Sequence, residues 1–331
     1  MARMDEASTK VASLAKAAAP GSAPAFDPRP EHAADARLKG YMALIVVQFA
    51  FGLLAIFGKW ALSDFDARAI VAWRLLAGSA ALGGLVLISR GRRSLVSWGD
   101  LAQLAVLSLL GITINMLLYL EGLKRSTAIN SGLIMPMIPV FTFGIAILMR
   151  HERFHWTRGL GILIAVAATL ALAYGRGAEF TAETRIGNLM MILNAFSYSL
   201  YLVFSRKLVA KYGPLVVIAW VFVLSLWTLP LLAGDVTWIP ERATAQSWAS
   251  LGYILVFPTV IAYFLNAYAL ARVTASTTAV FIFFQSLITV AAAVAFLGEA
   301  LTGRTLLCGA VVFAGTALVL FGPRPPVAPT A

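Results

Sequence analysis

One stretch of the sequence has the spacing of a zinc-protease motif. Residues 151–155 read His-Glu-Arg-Phe-His, and on a helix the two histidines would share one face as Zn²⁺ ligands, with Glu152 as general base. Such a site needs a third protein ligand, and no further Asp or Glu lies in a nearby apolar segment. An intramembrane metalloprotease that uses His151 and His155 is therefore a remote alternative.

A second set of residues places polar and aromatic side chains at helical spacing within long apolar segments. Asn194, Tyr198 and Tyr201 lie at i, i+4 and i+7, which is one face of a helix. Thr259, Tyr263 and Asn266 repeat that spacing. The whole set of candidate binding residues is Gln48, Phe51, Asn115, Tyr119, Met135, Asn194, Tyr198, Tyr201, Tyr263, Asn266, Thr278, Phe281 and Gln285.

Gln285 shows most clearly why these side chains need a wet or polar environment. It lies in the stretch Phe-Ile-Phe-Phe-Gln-Ser-Leu, and no charged residue occurs between Arg272 and Glu299. An amide facing lipid would lose its hydrogen bonds, so Gln285 must face protein or water. Any one such residue is explained equally well by a hydrogen bond between helices, whereas the recurrence of the set favours a shared cavity.

The elements that carry these residues are membrane helices. Of the 331 residues 60% are hydrophobic and only 12% are charged, a composition typical of integral membrane proteins. Ten apolar segments are each long enough to span a bilayer as a helix. They lie near residues 40–62, 67–89, 99–121, 127–149, 156–175, 186–208, 214–233, 247–271, 274–297 and 303–322.

The distribution of basic residues predicts the topology. Lys and Arg are more frequent in the tails and loops that share a side with the N-terminus, so both termini are expected in the cytoplasm and the protein in a bacterial inner membrane. The net charge of +11 is explained by these loops and not by nucleic-acid binding. Residues 1–39 predict a disordered cytoplasmic tail, and residues 323–331 a short C-terminal tail.

The chain contains an internal repeat at one constant offset. Glu152 corresponds to Glu299, since 299 − 152 = 147, and the same shift relates Ala72-Trp73 to Ala219-Trp220 without a gap. The two copies, residues 40–175 and 187–322, hold five helices each. Because five is odd, the second copy must enter the membrane from the opposite face, which gives an inverted repeat around a central cavity. The second copy lacks both histidines of the protease-like motif, so the glutamates belong to the fold.

Two stretches of sequence also carry a family resemblance. The first copy contains Ala-Ile-Val-Ala-Trp-Arg at residues 69–74 and Pro-Val at 139–140, and Glu152 and Glu299 each precede an apolar helix. The chain resembles the EamA family of the drug/metabolite transporter superfamily over nearly its whole length after residue 39. The second copy departs from the pattern, with Val221 at the arginine position and Ser286 at the position of Pro139.

Five residues are assigned structural or gating roles: Arg74, Pro136, Pro139, Glu152 and Glu299. Arg74 is the only charge well inside a predicted span. It either snorkels and bonds backbone carbonyls or faces the cavity, and the sequence leaves both options open.

The resemblance implies a transporter, and the residues limit its substrate. A cavity of amides, hydroxyls and aromatic rings lacks the basic clamp that a densely anionic substrate needs. We therefore expect export of small amino-acid-like metabolites by alternating access, with no enzymatic activity, metal or cofactor. The alternatives are export of cationic or aromatic drugs, or import. The small residues of helices five and ten also suggest a homodimer through those helices.

Overall fold

The structure, a computed structural model, describes residues 30–150, 152, 154–174, 181–234, 236–270, 272–273 and 275–322. Side chains are not described for residues 30–34, 92–93, 233, 270 and 275–280. The chain divides into two units, residues 1–39 and residues 40–331. Most of the predicted N-terminal tail and all of the C-terminal tail lie outside the described residues.

All secondary structure in the described part of the chain is helical. Ten helical elements follow one another, and two of them are interrupted: α1 (Pro30–Gly52 and Leu54–Ala61), α2 (Ala67–Arg90), α3 (Trp98–Arg125), α4 (Ala128–Ile134 and Met137–Leu148), α5 (Trp156–Ala173), α6 (Ala182–Tyr212), α7 (Pro214–Leu232), α8 (Ala245–Ala269), α9 (Ala275–Leu297) and α10 (Gly303–Phe321).

Nine of these helices are long and apolar enough to cross a membrane, counting only residues with described side chains. The exception is α9, for which the part with described side chains, Phe281–Leu297, is shorter than a full span. The prediction of an all-helical membrane protein is confirmed, and α9 occupies the ninth position in the predicted order.

The first helix begins earlier than predicted. It starts at Pro30, whereas the sequence indicated a disordered tail as far as residue 39. Proline is favoured in the first turn of a helix, and the residues that follow include several good helix formers. The ammonium of Lys39 also pairs with Asp35 at 2.6 Å, one turn apart. Local helix propensity therefore outweighs the polar composition between residues 30 and 39.

Hydroxyl and carboxylate side chains begin most of the other helices. The side chain of the residue before the first turn accepts a backbone N–H two or three positions later, which satisfies an otherwise free donor. These capping residues are Asp66 for α2, Thr127 for α4, Thr181 for α6, Thr244 for α8 and Thr302 for α10.

Asp64, in the loop between α1 and α2, ties that loop to the start of α8. Its Oδ2 accepts hydrogen bonds from the Ser247 hydroxyl (2.6 Å) and from the backbone N–H and hydroxyl of Thr244 (2.8 and 2.9 Å). These bonds, the one from Ser247 foremost, lower the pKa of Asp64 to about 2. The carboxylate therefore stays ionised well below its ordinary range.

The repeat found in the sequence recurs in the helix boundaries. Helices α2 to α5 begin at residues 67, 98, 128 and 156, and adding 147 gives 214, 245, 275 and 303, where α7 to α10 begin. Irregular turns follow the same rule. A π-helical turn at Leu109–Thr113 in α3 corresponds to one at Val256–Ile261 in α8, since 109 + 147 = 256. The two copies thus share these helix starts and this irregular turn, whereas the breaks in α1 and α4 have no counterpart in α6 and α9.

Helices related by the repeat also pack against each other. A close backbone contact joins α5 to α10, where a Cβ on Gly161 would lie 2.7 Å from the Gly315 carbonyl oxygen, and one on Gly315 would lie 2.6 Å from the Ala165 nitrogen. Only glycine permits backbones to approach so closely. These small residues are therefore occupied within one chain, and a homodimer through α5 and α10 stays a prediction.

Helix α4 is interrupted at the two prolines singled out in the sequence. Proline has no N–H to donate, so at Pro139 the carbonyl of Met135 accepts instead from Ile138 N, at 3.0 Å. The carbonyl of Pro136 accepts a 3.4 Å hydrogen bond from the Thr316 hydroxyl of α10. Both prolines are buried, and they explain why α4 breaks whereas its counterpart α9 is continuous.

Candidate substrate-binding site

Arg74 lies in the interior of the protein with most of its hydrogen-bonding capacity unused. Its side chain in α2 is only 2% exposed. The Nε donates a 2.9 Å hydrogen bond to the Thr259 hydroxyl of α8, which in turn donates to the Ile254 carbonyl at 2.7 Å. Among the described residues no carboxylate pairs with Arg74, and no group accepts from its two terminal nitrogens.

Two tyrosines lie near this guanidinium, and two more lie near one of them. The phenols of Tyr119 in α3 and Tyr263 in α8 lie within electrostatic range of Arg74, and Tyr198 and Tyr201 of α6 lie within range of Tyr263. Together with Arg74 these residues form what we call the arginine–tyrosine cluster. Its members come from both copies of the repeat, two from the first and three from the second.

Aromatic packing holds the rings of the cluster in place. Tyr198 and Tyr201 stack with their centroids 5.6 Å apart. Tyr263 meets the edges or faces of Phe51 and Phe222 at 5.8 and 5.2 Å. Such pairs stabilise the rings beyond the burial of their area. The sites of the rings are therefore fixed by α1, α6, α7 and α8.

The hydroxyl groups of Tyr198, Tyr201 and Tyr263 are unused within the part of the chain that the structure describes. None makes a hydrogen bond to any residue that the structure describes, although the rings of Tyr201 and Tyr263 are 6% and 8% exposed. Buried polar groups normally find a partner. The cluster therefore offers one cation and several free hydroxyls, with apolar rings between them.

The predicted site residues Asn115 and Asn194 are used differently. The amide of Asn115 donates to the Asn194 carbonyl at 3.2 Å, and the amide of Asn194 donates to the Asn115 carbonyl at 2.7 Å. This reciprocal pair joins α3 to α6. The repeat-related positions are Ala262 and Val47, which pack together in an apolar contact between α8 and α1. The asparagines thus act as an interhelical clamp, and binding by them stays a prediction.

The two glutamines of the predicted site are both without hydrogen bonds to described residues. Gln48 in α1 is 3% exposed, and its Oε1 is buried without a partner. Gln285 is half-buried in α9. It lies beside α1, where its backbone carbonyl would be 3.2 Å from a Cβ on Gly52. Both amides therefore keep the capacity that the sequence argument assigned to them.

The remaining predicted residues are spread along the same helices. Phe281 stacks on Tyr41 at 6.4 Å, Met135 is buried at the break in α4, and Asn266 is half-buried one turn beyond Tyr263. The side chain of Thr278 lies outside the described residues. Met135 belongs to the same buried core as Tyr119, Tyr201 and Tyr263, and neither Phe281 nor Asn266 has a hydrogen bond or ring contact with a described residue of the arginine–tyrosine cluster.

Glu299 ties the loop between α9 and α10 to the start of α4. Its carboxylate accepts hydrogen bonds from the backbone N–H groups of Ala128 (2.7 Å) and Ile129 (2.8 Å) at the start of α4, where the helix dipole favours a negative charge. Lys59 at the end of α1 donates to the Ser126 carbonyl and lies within electrostatic range of Glu299. We call this arrangement of Lys59 and Glu299 the latch.

The repeat-related residues of the latch are not engaged. Lys59 corresponds to Arg206 and Glu299 to Glu152. Both are exposed, and neither makes a side-chain hydrogen bond or ion pair with a described residue. The backbone at these sites is nevertheless equivalent, since Glu152 N donates to Ala146 and Glu299 N to Ala293. The two ends of the bundle therefore differ in their side-chain contacts.

The protease-like motif is not assembled within the described residues. His155 caps the start of α5, where its Nδ1 accepts a hydrogen bond from the backbone N–H of Thr157 at 3.4 Å. Glu152 is exposed, and His151 lies outside the described residues. No group of three or more His, Cys, Asp or Glu side chains that the structure describes is placed to hold a metal.

A surface concavity of about 520 Å³ lies apart from the cluster, at the α1–α2 and α7–α8 loops. Asp64, Asp66, Arg68 and Glu241 supply its charged lining. It shares no residue with the predicted site.

Comparison with known proteins agrees with the repeat. The model of the EamA-like transporter family matches residues 38–174 and again residues 185–321. The offset between the two matches is 185 − 38 = 147 residues, and 321 − 174 gives the same value.

Several transporters and one solved structure are similar over most of the chain. An uncharacterized transporter of Bacillus subtilis, YdfC, is 28% identical over 81% of this chain and 90% of its own. A protein of Streptantibioticus cattleyicolor named "Probable terminal-alkyne amino-acid exporter" is 26% identical over 66% of this chain and 73% of its own. A crystal structure with 19% identity superposes with a TM-score of 0.60 over 86% of this chain and 96% of that chain, which shows the fold alone.

Apolar helices in two equivalent sets of five, with a buried polar cluster between the sets, define a multi-pass membrane protein of the transporter class. The chain belongs to the EamA-like transporter family. Members of this family are transporters, which are generally not enzymes, and the resemblance noted in the sequence is confirmed.

Proposed function

We propose that the protein exports small amino-acid-like or related metabolites across a bacterial inner membrane, with both termini in the cytoplasm. The observation that carries the proposal is the arginine–tyrosine cluster, in which three phenol hydroxyls and the two terminal nitrogens of Arg74 have no hydrogen-bond partner among the described residues. Unused donors and acceptors lined by aromatic rings suit a small ligand that has a polar head and an apolar body.

The chemistry of the cluster favours this substrate class over its alternatives. Free hydroxyls and one guanidinium bind a carboxylate, and Phe51 and Phe222 beside Tyr263 offer an apolar surface. A nucleotide or sugar phosphate carries more negative charge than one arginine neutralises. The printed name of the Streptantibioticus cattleyicolor relative, an amino-acid exporter, supports the same class.

The difference between the two ends of the bundle supports alternating access. In an inverted repeat, exchanging the conformations of the two copies opens one end and closes the other. In this proposal the latch holds closed the end that carries Glu299, whereas Glu152 and Arg206 at the related end have no side-chain partner among the described residues. We therefore expect a second state in which Glu152 caps α9 as Glu299 caps α4 here.

The proposal is tested by exchange in liposomes containing the purified full-length protein. Radiolabelled amino acids, sugar phosphates and lipophilic cations are offered outside vesicles preloaded with the unlabelled compound. We expect exchange of amino acids above that of protein-free vesicles. Exchange of lipophilic cations but of no amino acid would refute the proposal and favour the drug-export alternative.

A matched pair of variants connects that exchange to the site. Gln285→Leu removes an amide of the predicted site, and Gln103→Leu removes an exposed amide of α3 that donates to the Phe204 carbonyl, away from the predicted site. We expect lower exchange for Gln285→Leu alone. Equal exchange by the two variants would remove Gln285 from the site. Everted membrane vesicles then give the direction of transport, since an exporter fills them.

A further inference from the structure

The unmatched charge of Arg74 is the feature that the transport proposal leaves unexplained. A buried cation is strongly unfavourable unless an anion or several acceptors face it. Within the described residues Arg74 has one acceptor, the Thr259 hydroxyl, and no acidic partner. Tyr119 and Tyr263 are the other titratable groups in its range. The described residues therefore supply no counter-charge for this guanidinium.

The single hydrogen bond of Arg74 determines which of its edges is free. A guanidinium binds a carboxylate in a bidentate manner, either through Nε and one terminal nitrogen or through both terminal nitrogens. Since Nε donates to Thr259 at 2.9 Å, the edge formed by the two terminal nitrogens is left. That edge accommodates two parallel hydrogen bonds to one carboxylate.

The repeat shows that only one such site exists in the pair of copies. The position related to Arg74 is Val221 in α7, which is fully buried in the apolar core, and the position related to Thr259 is Ile112. The fold therefore does not require an arginine and a threonine here, since the second copy packs with aliphatic residues. Packing of the fold therefore does not explain why the first copy carries the charge of Arg74.

We propose that the Arg74 guanidinium anchors the carboxylate of the transported substrate, so that the protein selects monocarboxylates with an apolar or aromatic body. The free hydroxyls of Tyr198, Tyr201 and Tyr263 provide further polar contacts, and the rings hold the body. One cation balances one carboxylate, which excludes amines that lack an acid group. This inference rests on the proposed function and names the group that its site recognises.

Three compounds of the same shape test the inference in the wild-type protein. Phenylalanine, phenethylamine and 3-phenylpropionate share a phenyl body and differ in the acid and amine groups. Each is used to compete with labelled phenylalanine for exchange in liposomes. We expect the two acids to compete at least about tenfold better than the amine, the range for a hydrogen bond to a charged group.

Variants connect that preference to Arg74. Arg74→Lys keeps the charge but cannot form two parallel hydrogen bonds to one carboxylate. Arg74→Gln removes the charge, and Arg90→Gln alters an exposed arginine at the end of the same helix. The acid-to-amine ratio should fall by about tenfold or more in Arg74→Gln, less in Arg74→Lys, and not in Arg90→Gln. A purely structural arginine would lower protein yield or total exchange without changing that ratio.

The outcomes separate the two proposals. Equal competition by phenethylamine and phenylalanine overturns the carboxylate anchor and leaves the transporter intact. An unchanged ratio in a folded Arg74→Gln variant overturns it as well. Absence of exchange for all three compounds, with exchange of lipophilic cations, overturns the proposed function and the inference with it. The wild-type comparison decides the case even where Arg74→Gln does not fold.

Discussion

Replacing Glu299 by glutamine should loosen the latch and shift the protein toward its other state. The carboxylate accepts two backbone hydrogen bonds at the start of α4. Glutamine keeps one acceptor, so the change removes one charge-assisted hydrogen bond and the attraction to the helix dipole. Because Glu299 is partly exposed, the loss is about 2 kcal/mol, which corresponds to a population ratio changed by roughly 30-fold.

Distance measurements between spin labels detect this shift. Cys308→Ala first removes the only cysteine of the sequence. Lys124→Cys and Ala300→Cys then provide two sites for the spin labels. Both positions are exposed near the latch. We expect Glu299→Gln to add a population with a longer distance between the labels.

Glu152→Gln is the matched control for this experiment. It makes the same chemical change at the repeat-related position, where the carboxylate has no partner among the described residues. The label distances should then stay as in the parent protein. The same distance distribution in Glu299→Gln and Glu152→Gln would refute the argument that the carboxylate of Glu299 holds this end closed.

Three further predictions concern stability, each measured by thermal unfolding in detergent. Asn194→Val should destabilise the protein by about 1 kcal/mol because it removes the side-chain hydrogen bond to the backbone carbonyl of Asn115, and adding Asn115→Ala should increase the loss because it removes the second side-chain bond, to the backbone carbonyl at position 194; unchanged stability in the double variant would argue against the clamp. The ionised Asp64 carboxylate stabilises the wild type above the ordinary carboxylate pKa, and this stabilisation is lost as the pH falls toward about 2. Asp64→Asn should therefore be less stable than the wild type at neutral pH, and the difference should shrink at low pH. The same dependence of unfolding temperature on pH in both proteins would contradict the role of Asp64. Gly161→Ala should cost about 1–3 kcal/mol by forcing α5 from α10, whereas Gly144→Ala, with its nearest neighbour 4.0 Å away, should be neutral.

The fold was largely predictable because the repeat constrains it. One offset relates the starts of four helix pairs. The same offset matches Glu152 to Glu299 but leaves the two histidines beside Glu152 without counterparts, which assigned the glutamate to the fold and not to a metal site. The start of α1 was missed because charged and apolar residues alternate around Asp35 in a way that composition alone assigns to a tail. The backbone preference of those residues was the better guide.

The binding site was only partly predictable, because helical spacing does not show what a polar face contacts. Asn194 and Tyr198 share one face of α6, yet the first bonds α3 and the second joins the cluster. Comparison with the repeat could have separated them, since apolar residues stand at the positions related to Asn194 and Asn115. The same comparison reveals Lys59 of the latch, whose related residue Arg206 is also basic.

The location of Arg74 depends on contacts between the two copies, which sequence spacing does not reveal. Its hydroxyl partner, Thr259, is 185 residues away, and the sequence offered snorkelling as an equal explanation. A buried side chain bonded to the opposite copy excludes snorkelling to the membrane surface.

The π-helical turns of α3 and α8 have a further consequence for the tyrosines that follow them. Each turn fits an extra residue into the helix, and in an α-helix one residue corresponds to a rotation of about 100° about the axis. Tyr119 and Tyr263 lie shortly after Leu109–Thr113 and Val256–Ile261. Deleting one residue from either turn would restore regular winding and swing the following ring a quarter of a circle away from Arg74. The direction in which each phenol points about its helix axis is thus set by a backbone irregularity that ends six residues before Tyr119 and two residues before Tyr263.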